Sequence, residues 1–422
     1  MKIWIVEISD FVPIIDKNQR LYRAGMLAKA LVEKGHHVLW WTSTFNHQFR
    51  RQRFEVSKTI DIQENYQIRL LYGPGYKRSV SFERVKHNRI TARELHREGN
   101  IRIKHKKPDI IYTCIPTLEV SEMGVHLAVR NSIPVVVDIR ELWPDNYLLY
   151  FPRLIRPVAR LFLKKEFACA HRIMSQASGI IGSSDTYVNW GLRVAGRKAR
   201  LSDKSFLLGT YIKAEKGNHA SSDIQLTSFI KDVVIGHDTV VVTYAGTFGH
   251  LYDFRTVMSV ASELSQAGEK RLQFLFVGDS GAQASFLHRC SEKYNNVHMT
   301  GWVDGAMVKR LLHLSSVGLA PYAPVVAAPT LPNKPFEYMA AGLPILSSIE
   351  GELRTIVEEN AIGLQYKAGA VSDLKKKIMW FVSHPEERKK MGVRARALLE
   401  QEFDADVVYG NLVGHLKAIV DN

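Results

Sequence analysis

The feature that most limits how this 422-residue chain can fold is an alternation, run through twice, between short apolar segments and longer amphipathic ones. "KIWIVEI", "HHVLWWTS", "QIRLLYG", "DIIYTCIP", "PVVVDIRE" and "GIIGSS" read as strands, several of them unbroken apolar runs of the kind a parallel sheet buries on both faces. Helical patterns lie between them, such as "QRLYRAGMLAKALVEKG", which Gly35 closes. Repeated βα units predict an α/β fold, a doubly wound sheet with right-handed crossovers. Around "IKAEKGNHASSD", residues 212–223, the apolar period gives way to small polar residues, which places a linker there. The alternation then resumes with "VVVTYAG", "LQFLFVGD", "VHMTGWV", "VGLAPY" and "PILSS". The reading is of two Rossmann-like domains, residues 1–212 and 213–404, facing each other across a cleft. A helix over 405–422 packs back on the first domain. Ligands of open α/β sheets bind beyond the carboxyl ends of the strands, so function belongs in the loops that follow them.

Composition narrows the class. With 46% hydrophobic and 23% charged residues the chain is globular, and no apolar run reaches the length of a membrane span. The opening "MKIWIVEISD" is interrupted by Glu7 and reads as a first strand rather than a secretory signal. Cys114, Cys169 and Cys290 are odd in number and far apart, which suits a reducing cytoplasm and neither a disulfide framework nor a CxxC metal site. A net charge of +15 calls for an anionic partner: nucleic acid, membrane or phosphorylated substrate. The basic groups fall in the first half, as "FRRQR", then Lys77 to Arg97, then "RIKHKK". "FPRLIRPVARLFLKKEF" sets Arg153, Arg156, Arg160, Lys164 and Lys165 among apolar residues, the pattern of a helix lying on an anionic membrane surface. A core helix with a solvated basic face is the competing reading. Nucleic-acid binding is disfavoured, because neither an RNP-like aromatic pattern nor a zinc-finger spacing accompanies the charge.

Four loops carry candidate chemistry. "AGTFGH" puts Gly246, Thr247 and Phe248 after a strand, where glycines let backbone N–H groups approach a phosphate; a tight turn explains Gly equally well. "FVGDS" brings Gly278 and Asp279 to the next strand end, and "GWV" brings Trp302 and Val303. Trp302 either stacks on a nucleobase or belongs to the core. In "LPNKPFEYMAAGLPILSS", Pro335 suits the first helical position, Asn333 or Lys334 the cap, and Gly342 the stop. Lys334 and the helix N–H groups suit a diphosphate, and Glu337, placed in the first turn, suits the hydroxyls of a ribose. The alternative is a plain capping arrangement. No Walker pattern or GxGxxG fingerprint occurs, which argues against a P-loop NTPase or a dinucleotide dehydrogenase.

At these motifs the chain resembles a family. "LPNKPFEYMAAGLPIL", with "AGTFG", "FVGD", "GWV" and "GLAPY", is similar to the donor half of family 4 retaining glycosyltransferases of the GT-B fold. "RLYRAGMLAKALVEKGHHVLWWTSTF" and "DIRELWPD" resemble their first half, nearest the bacterial branch that builds O-antigen, capsule and exopolysaccharide. The resemblance implies a nucleotide-sugar donor, UDP-linked by preference, and a glycan or lipid-linked glycan acceptor. No cofactor or metal is implied, nucleic acid is not a partner, and the place of work is the cytoplasm or the inner face of its membrane. It assigns Glu337 to the ribose, Lys334 and Gly246 to Phe248 to the phosphates, and the surroundings of Gly278 and Val303 to the base. The chain departs from the pattern at Pro329, where a second glutamate is usual, and in "GHLYDF", where Arg or Lys is usual. "DKNQR" replaces the first-domain glycine pair, which leaves Asp16 and Arg20 as acceptor-side candidates. Arg140 and Glu141 either touch the sugar or form a structural salt bridge. A sugar-nucleotide epimerase or hydrolase is the runner-up.

Overall fold

The computed structural model describes residues 1–16, 21–78, 80–148, 151–209, 238–324 and 331–421; Arg20, Pro329 and the stretch 212–223 lie outside them. The chain divides into two compact units, Met1–Gly209 with Ala405–Asn422, and Thr210–Asp404.

In the first unit the six apolar runs form β1 (Lys2–Val6), β2 (His37–Ser43), β6 (Tyr66–Leu71), β7 (Ile110–Ile115), β8 (Val135–Ile139) and β9 (Gly179–Gly182). They pair in parallel in the order β9-β8-β7-β1-β2-β6. Short pieces complete the unit: β10 (Lys204–Ser205) extends one edge, β5 (Lys58–Gln63) runs antiparallel along the other, and β3 (Phe45–Asn46) with β4 (Arg51–Gln52) forms a separate ribbon. All six residues of β7 are buried, as a central strand covered on both faces requires. The helix Ala405–Asp421 packs on Arg23–Glu33, and Lys34 Nζ donates to the Gly410 carbonyl at 3.2 Å.

Helix Arg23–Glu33 is tied to the sheet by a buried ion pair. Arg23 Nε donates to Asp138 Oδ2 at 2.8 Å, with the two side chains 4% and 0% exposed. Arg23 Nη1 donates to the carbonyls of Phe206 and Leu207, and the Tyr112 hydroxyl donates to the same Asp138 oxygen. Burial would raise the Asp138 pKa, but Arg23 and Arg140 hold it below the ordinary aspartate value.

The second unit is a six-stranded parallel sheet, β13-β12-β11-β14-β15-β16. Its strands are β11 (Val240–Ala245), β12 (Leu272–Val277), β13 (Val297–Met299), β14 (Val317–Ala320), β15 (Ile345–Ser347) and β16 (Gly363–Gln365). From β11 the chain winds outward through β12 and β13, then returns to β14 on the other side of β11. The sheet therefore has a switch point between β11 and β14, and loops leaving those two strands diverge there. The first sheet has its own between β1 and β7.

Removing one partner of a buried pair leaves the other charge without compensation. Arg23→Ala is expected to lower the stability of the first unit by about 3–5 kcal/mol in denaturant unfolding.

Candidate functional site

In the second unit, the loops at the switch point converge on one ammonium group. β11 is followed by Gly246, whose φ of +131° strains any other residue, and the Lys334 tip lies directly over it: an added Cβ would fall 2.6 Å from Lys334 Cε and 2.9 Å from its Nζ. Gly246 N donates to the Val277 carbonyl at 2.8 Å, and Phe248 N donates to the Ser280 carbonyl at 2.7 Å, so the loops after β11 and β12 are laced together. Gly278, at φ +140°, lies against the Gly246 carbonyl and bridges to Gly301. Gly246 and Thr247 are exposed, but the Phe248 side chain is fully buried among Tyr244, Phe254 and Phe276. Phe248 therefore offers a ligand only its backbone.

The helix that follows spans Asn333–Ala340, two residues earlier than the sequence suggests. Pro332, extended at φ −73° and ψ 155°, occupies the cap without a side-chain bond, which places Pro335 third in the helix. Neither Asn333 nor Lys334 is the cap, and Glu337 sits in the second turn, outside the reach of a first-turn cap. The two prolines have no N–H, so the amides of this helix start that lack an intrahelical partner are those of Asn333 and Lys334. Gly342, at φ +69°, ends the helix as expected.

Lys334 Nζ donates to the Tyr252 hydroxyl at 2.9 Å and lies 5.2 Å and 4.9 Å from the ring centres of Tyr244 and Tyr252. Burial would raise the Tyr252 pKa, but the adjacent ammonium holds it below the ordinary tyrosine value. Tyr252 is placed by an antiparallel bridge to Tyr322 in the loop after β14, and by Gln283, which donates to the Tyr252 carbonyl at 2.9 Å. The sequence reading did not point to Tyr252; its segment stood out only for lacking a cation. Glu337 is half-buried on the same helix, Asn333 and Asp279 are exposed, and Val303 is half-buried. Asp279 pairs with His288 Nε2 at 2.8 Å. Trp302 is 79% exposed and so is not core; its ring stands in solvent beside the β13 loop.

In the first unit a pocket of about 250 Å³ opens at the switch point, lined by Glu7, Asp10, His47, Arg84, Arg140 and Glu141 among others. Arg140 is ion-paired: its Nη1 donates to both oxygens of Asp10 at 2.9 and 3.0 Å, and its Nε approaches Asp138 at 3.4 Å. Its Nη2 is buried and makes no hydrogen bond within the described residues. Glu141 is not paired with it and is exposed at the pocket rim, where partial desolvation by the surrounding protein raises its carboxyl above the ordinary value. Burial, with Asp10 beside it, pushes Glu7 up to about 7, and His47 is pushed down to about 4 by burial and by Arg84 and Arg50. Asp16 does not line this pocket. It is buried, accepts bonds from Arg53, Asn46 and the Val12 amide, and serves to pin its own loop.

Residues 227–398 match the model of the family described as glycosyl transferases group 1. Among solved structures, HepE of Anabaena in complex with UDP-glucose superposes with a TM-score of 0.65, at 16% identity, over 99% of this chain and 100% of that one. Sucrose-phosphate synthase of Thermosynechococcus elongatus gives 0.68 at 17% identity over 99% of each chain. WaaG, a glycosyltransferase involved in lipopolysaccharide biosynthesis, gives 0.59 at 13% identity over 98% of each. No curated protein matches the sequence. The fold is that of the GT-B glycosyltransferases, and the match to the group 1 family model falls within the second unit.

Two outcomes follow from the geometry. Gly246→Ala is expected to cost about 1–3 kcal/mol in unfolding experiments from its strained φ together with the clash, and Lys334→Ala in the same background should recover only the clash. Glu7 is held above its unfolded value, so the folded chain keeps a proton that the unfolded chain releases. Stability is therefore expected to fall between pH 4.5 and about 7, by up to about 1.4 kcal/mol per pH unit, and Glu7→Gln should flatten that slope.

Proposed function

We propose that this protein is a retaining glycosyltransferase of family 4, which moves a sugar from a nucleotide diphosphate sugar to a glycan or polyprenyl-diphosphate-linked acceptor in the synthesis of a surface polysaccharide of the O-antigen or capsule type. The observation that carries the reading is the Lys334 ammonium, held over the Gly246 loop by the Tyr252 hydroxyl at the switch point of the group 1 domain. Negative charge grows on the diphosphate as it leaves the anomeric carbon. A fixed ammonium and two unpaired amides meet that charge where it forms, without having to reorganise. Tyr252 stands on the segment where a second cation would be usual, and its hydroxyl supplies a further donor to the phosphates. This set works without a divalent ion or a cofactor, so transfer proceeds in EDTA. Glu337, one turn beyond Lys334, takes the ribose hydroxyls, while Asn333, Gly278, Asp279, Trp302 and Val303 surround the base end. UDP is the favoured nucleotide because HepE was solved with UDP and with UDP-glucose.

The first-unit pocket suits an acceptor hydroxyl. Its carboxylates and the unpaired Arg140 nitrogen offer both acceptors and donors to a polyol, and Glu7, titrating near 7, can take up a proton at neutral pH. Retention then follows from attack on the donor face that the diphosphate leaves, with a diphosphate oxygen helping to deprotonate the acceptor. The work is done in the cytoplasm.

Thermal stabilisation by UDP- and GDP-sugars tests the donor site. Lys334→Ala and Glu337→Ala are each expected to weaken donor affinity about tenfold to a hundredfold with the fold intact, and Tyr252→Phe to weaken it less. Donor affinity of the wild type should decline on the alkaline side as the Tyr252 phenol gives up its proton, below the usual tyrosine range, and the Phe variant should lack that decline. Unchanged affinity in both Ala variants overturns the site. Release of free sugar with no transferred product favours a hydrolase.

A further inference from the structure

The segment after β8 exposes apolar side chains that a folded surface normally hides. Leu154 is 93% exposed, Leu161 70%, Phe162 83% and Val158 56%. Residues 154, 158, 161 and 162 stand three and four apart, so they share one face of the turn Arg153–Ile155 and the helix Arg156–Phe162 that continues it. Only Ala159 of that helix is buried. Scattered single apolar residues on a surface need no explanation, but a contiguous group does. Its surroundings name the occupant: from Phe151 to Lys165 the chain holds five basic residues and no acidic one. Arg160, Lys164 and Lys165 are exposed beside the apolar group.

We infer that this segment docks on an anionic lipid bilayer, with Leu154, Leu161 and Phe162 entering the acyl boundary and the basic side chains lying at the phosphate level. A protein partner of ordinary composition would meet the apolar face but leave the basic residues beside it uncompensated. The segment is anchored to the pocket side of the first unit. Asp145, which opens the short helix Asp145–Leu148 after the loop that leaves β8 through Arg140 and Glu141, lies 3.6 Å from Arg160 and accepts the Trp190 indole N–H at 2.8 Å. A bilayer docked here meets the unit along the same β8 loop that lines the pocket. That it delivers a lipid-linked acceptor to that pocket rests on the proposed glycosyltransferase reading; the docking itself does not.

The test is co-sedimentation of the full-length protein with phosphatidylcholine vesicles, with and without phosphatidylglycerol. Binding is expected to the anionic vesicles and at least about tenfold weaker to the neutral ones. The triple variant Leu154→Ser, Leu161→Ser, Phe162→Ser should lose binding at least about tenfold, and Lys164→Gln with Lys165→Gln should lose it in part. All these side chains are exposed, so melting temperature and nucleotide-sugar stabilisation should stay at wild-type values. Equal sedimentation of the Ser variant, or equal binding to both vesicle types, overturns the inference. So does a wild-type dimer that the Ser variant converts to monomer while vesicle binding is unchanged, since the face would then belong to a second copy. Binding as expected, with no stabilisation by any nucleotide sugar, upholds the docking surface and overturns the enzymatic reading.

Discussion

A Cβ at Gly318, in the middle of β14, would fall 2.3 Å from the Tyr338 ring, so the missing side chain is what lets helix Asn333–Ala340 lie this close to the sheet. The Tyr338 hydroxyl donates to the Leu319 carbonyl at 3.0 Å and accepts from Ala245 N at 3.3 Å. One buried phenol thus joins the helix to β14 and to the end of β11, the two strands that part at the switch point. Lys334 precedes Tyr338 by four residues and so shares its helix face. Fixing Tyr338 fixes the direction in which Lys334 extends, over Gly246 and toward Tyr252. A helix of eight residues is too short to hold a shape by itself, and here tertiary contacts with Gly318 and the two strands do that work.

Legibility followed burial. Strands covered on both faces appear in the sequence as unbroken apolar runs, and each of these was readable. β5 is half-exposed, and β3, β4 and β10 have two residues each, so none of these builds a recognisable pattern. The candidate site was legible to the extent that Lys334 and the Gly246 loop, both singled out from the sequence, come together in the structure. It was not legible where a residue arrives from another loop: Tyr252 reaches Lys334 only because its backbone bridges to Tyr322, seventy residues on. Helix phase was misread because Pro335 fits the first position as well as the third, and only the extended backbone of Pro332 distinguishes them. The core alternative for Trp302 fails, and Phe248 is core instead, for a similar reason. Aromatic identity says nothing of which side of a loop faces the core.

The basic surplus, one quantity in the sequence, resolves into different physical uses. In "FRRQR", Arg53 is buried against Asp16 at 2.6 Å and donates to the carbonyls of Ser43 and Phe45, so it is a structural cation. In "RIKHKK", Arg102 lies over the Trp41 ring at 5.5 Å, and neighbouring Arg69 holds Glu98 through two bonds of 2.6 Å. These three arginines are satisfied within the fold, whereas Arg50, Arg51, Lys104, Lys106 and Lys107 stay exposed. The segment 151–165 differs because Arg160, Lys164 and Lys165 stand exposed beside a contiguous group of exposed apolar side chains, a combination that suits a surface both anionic and oily. Net charge alone would have ranked these groups together. Burial separates the cations that hold the fold, and the apolar neighbours of the exposed ones decide which of them suit a lipid surface.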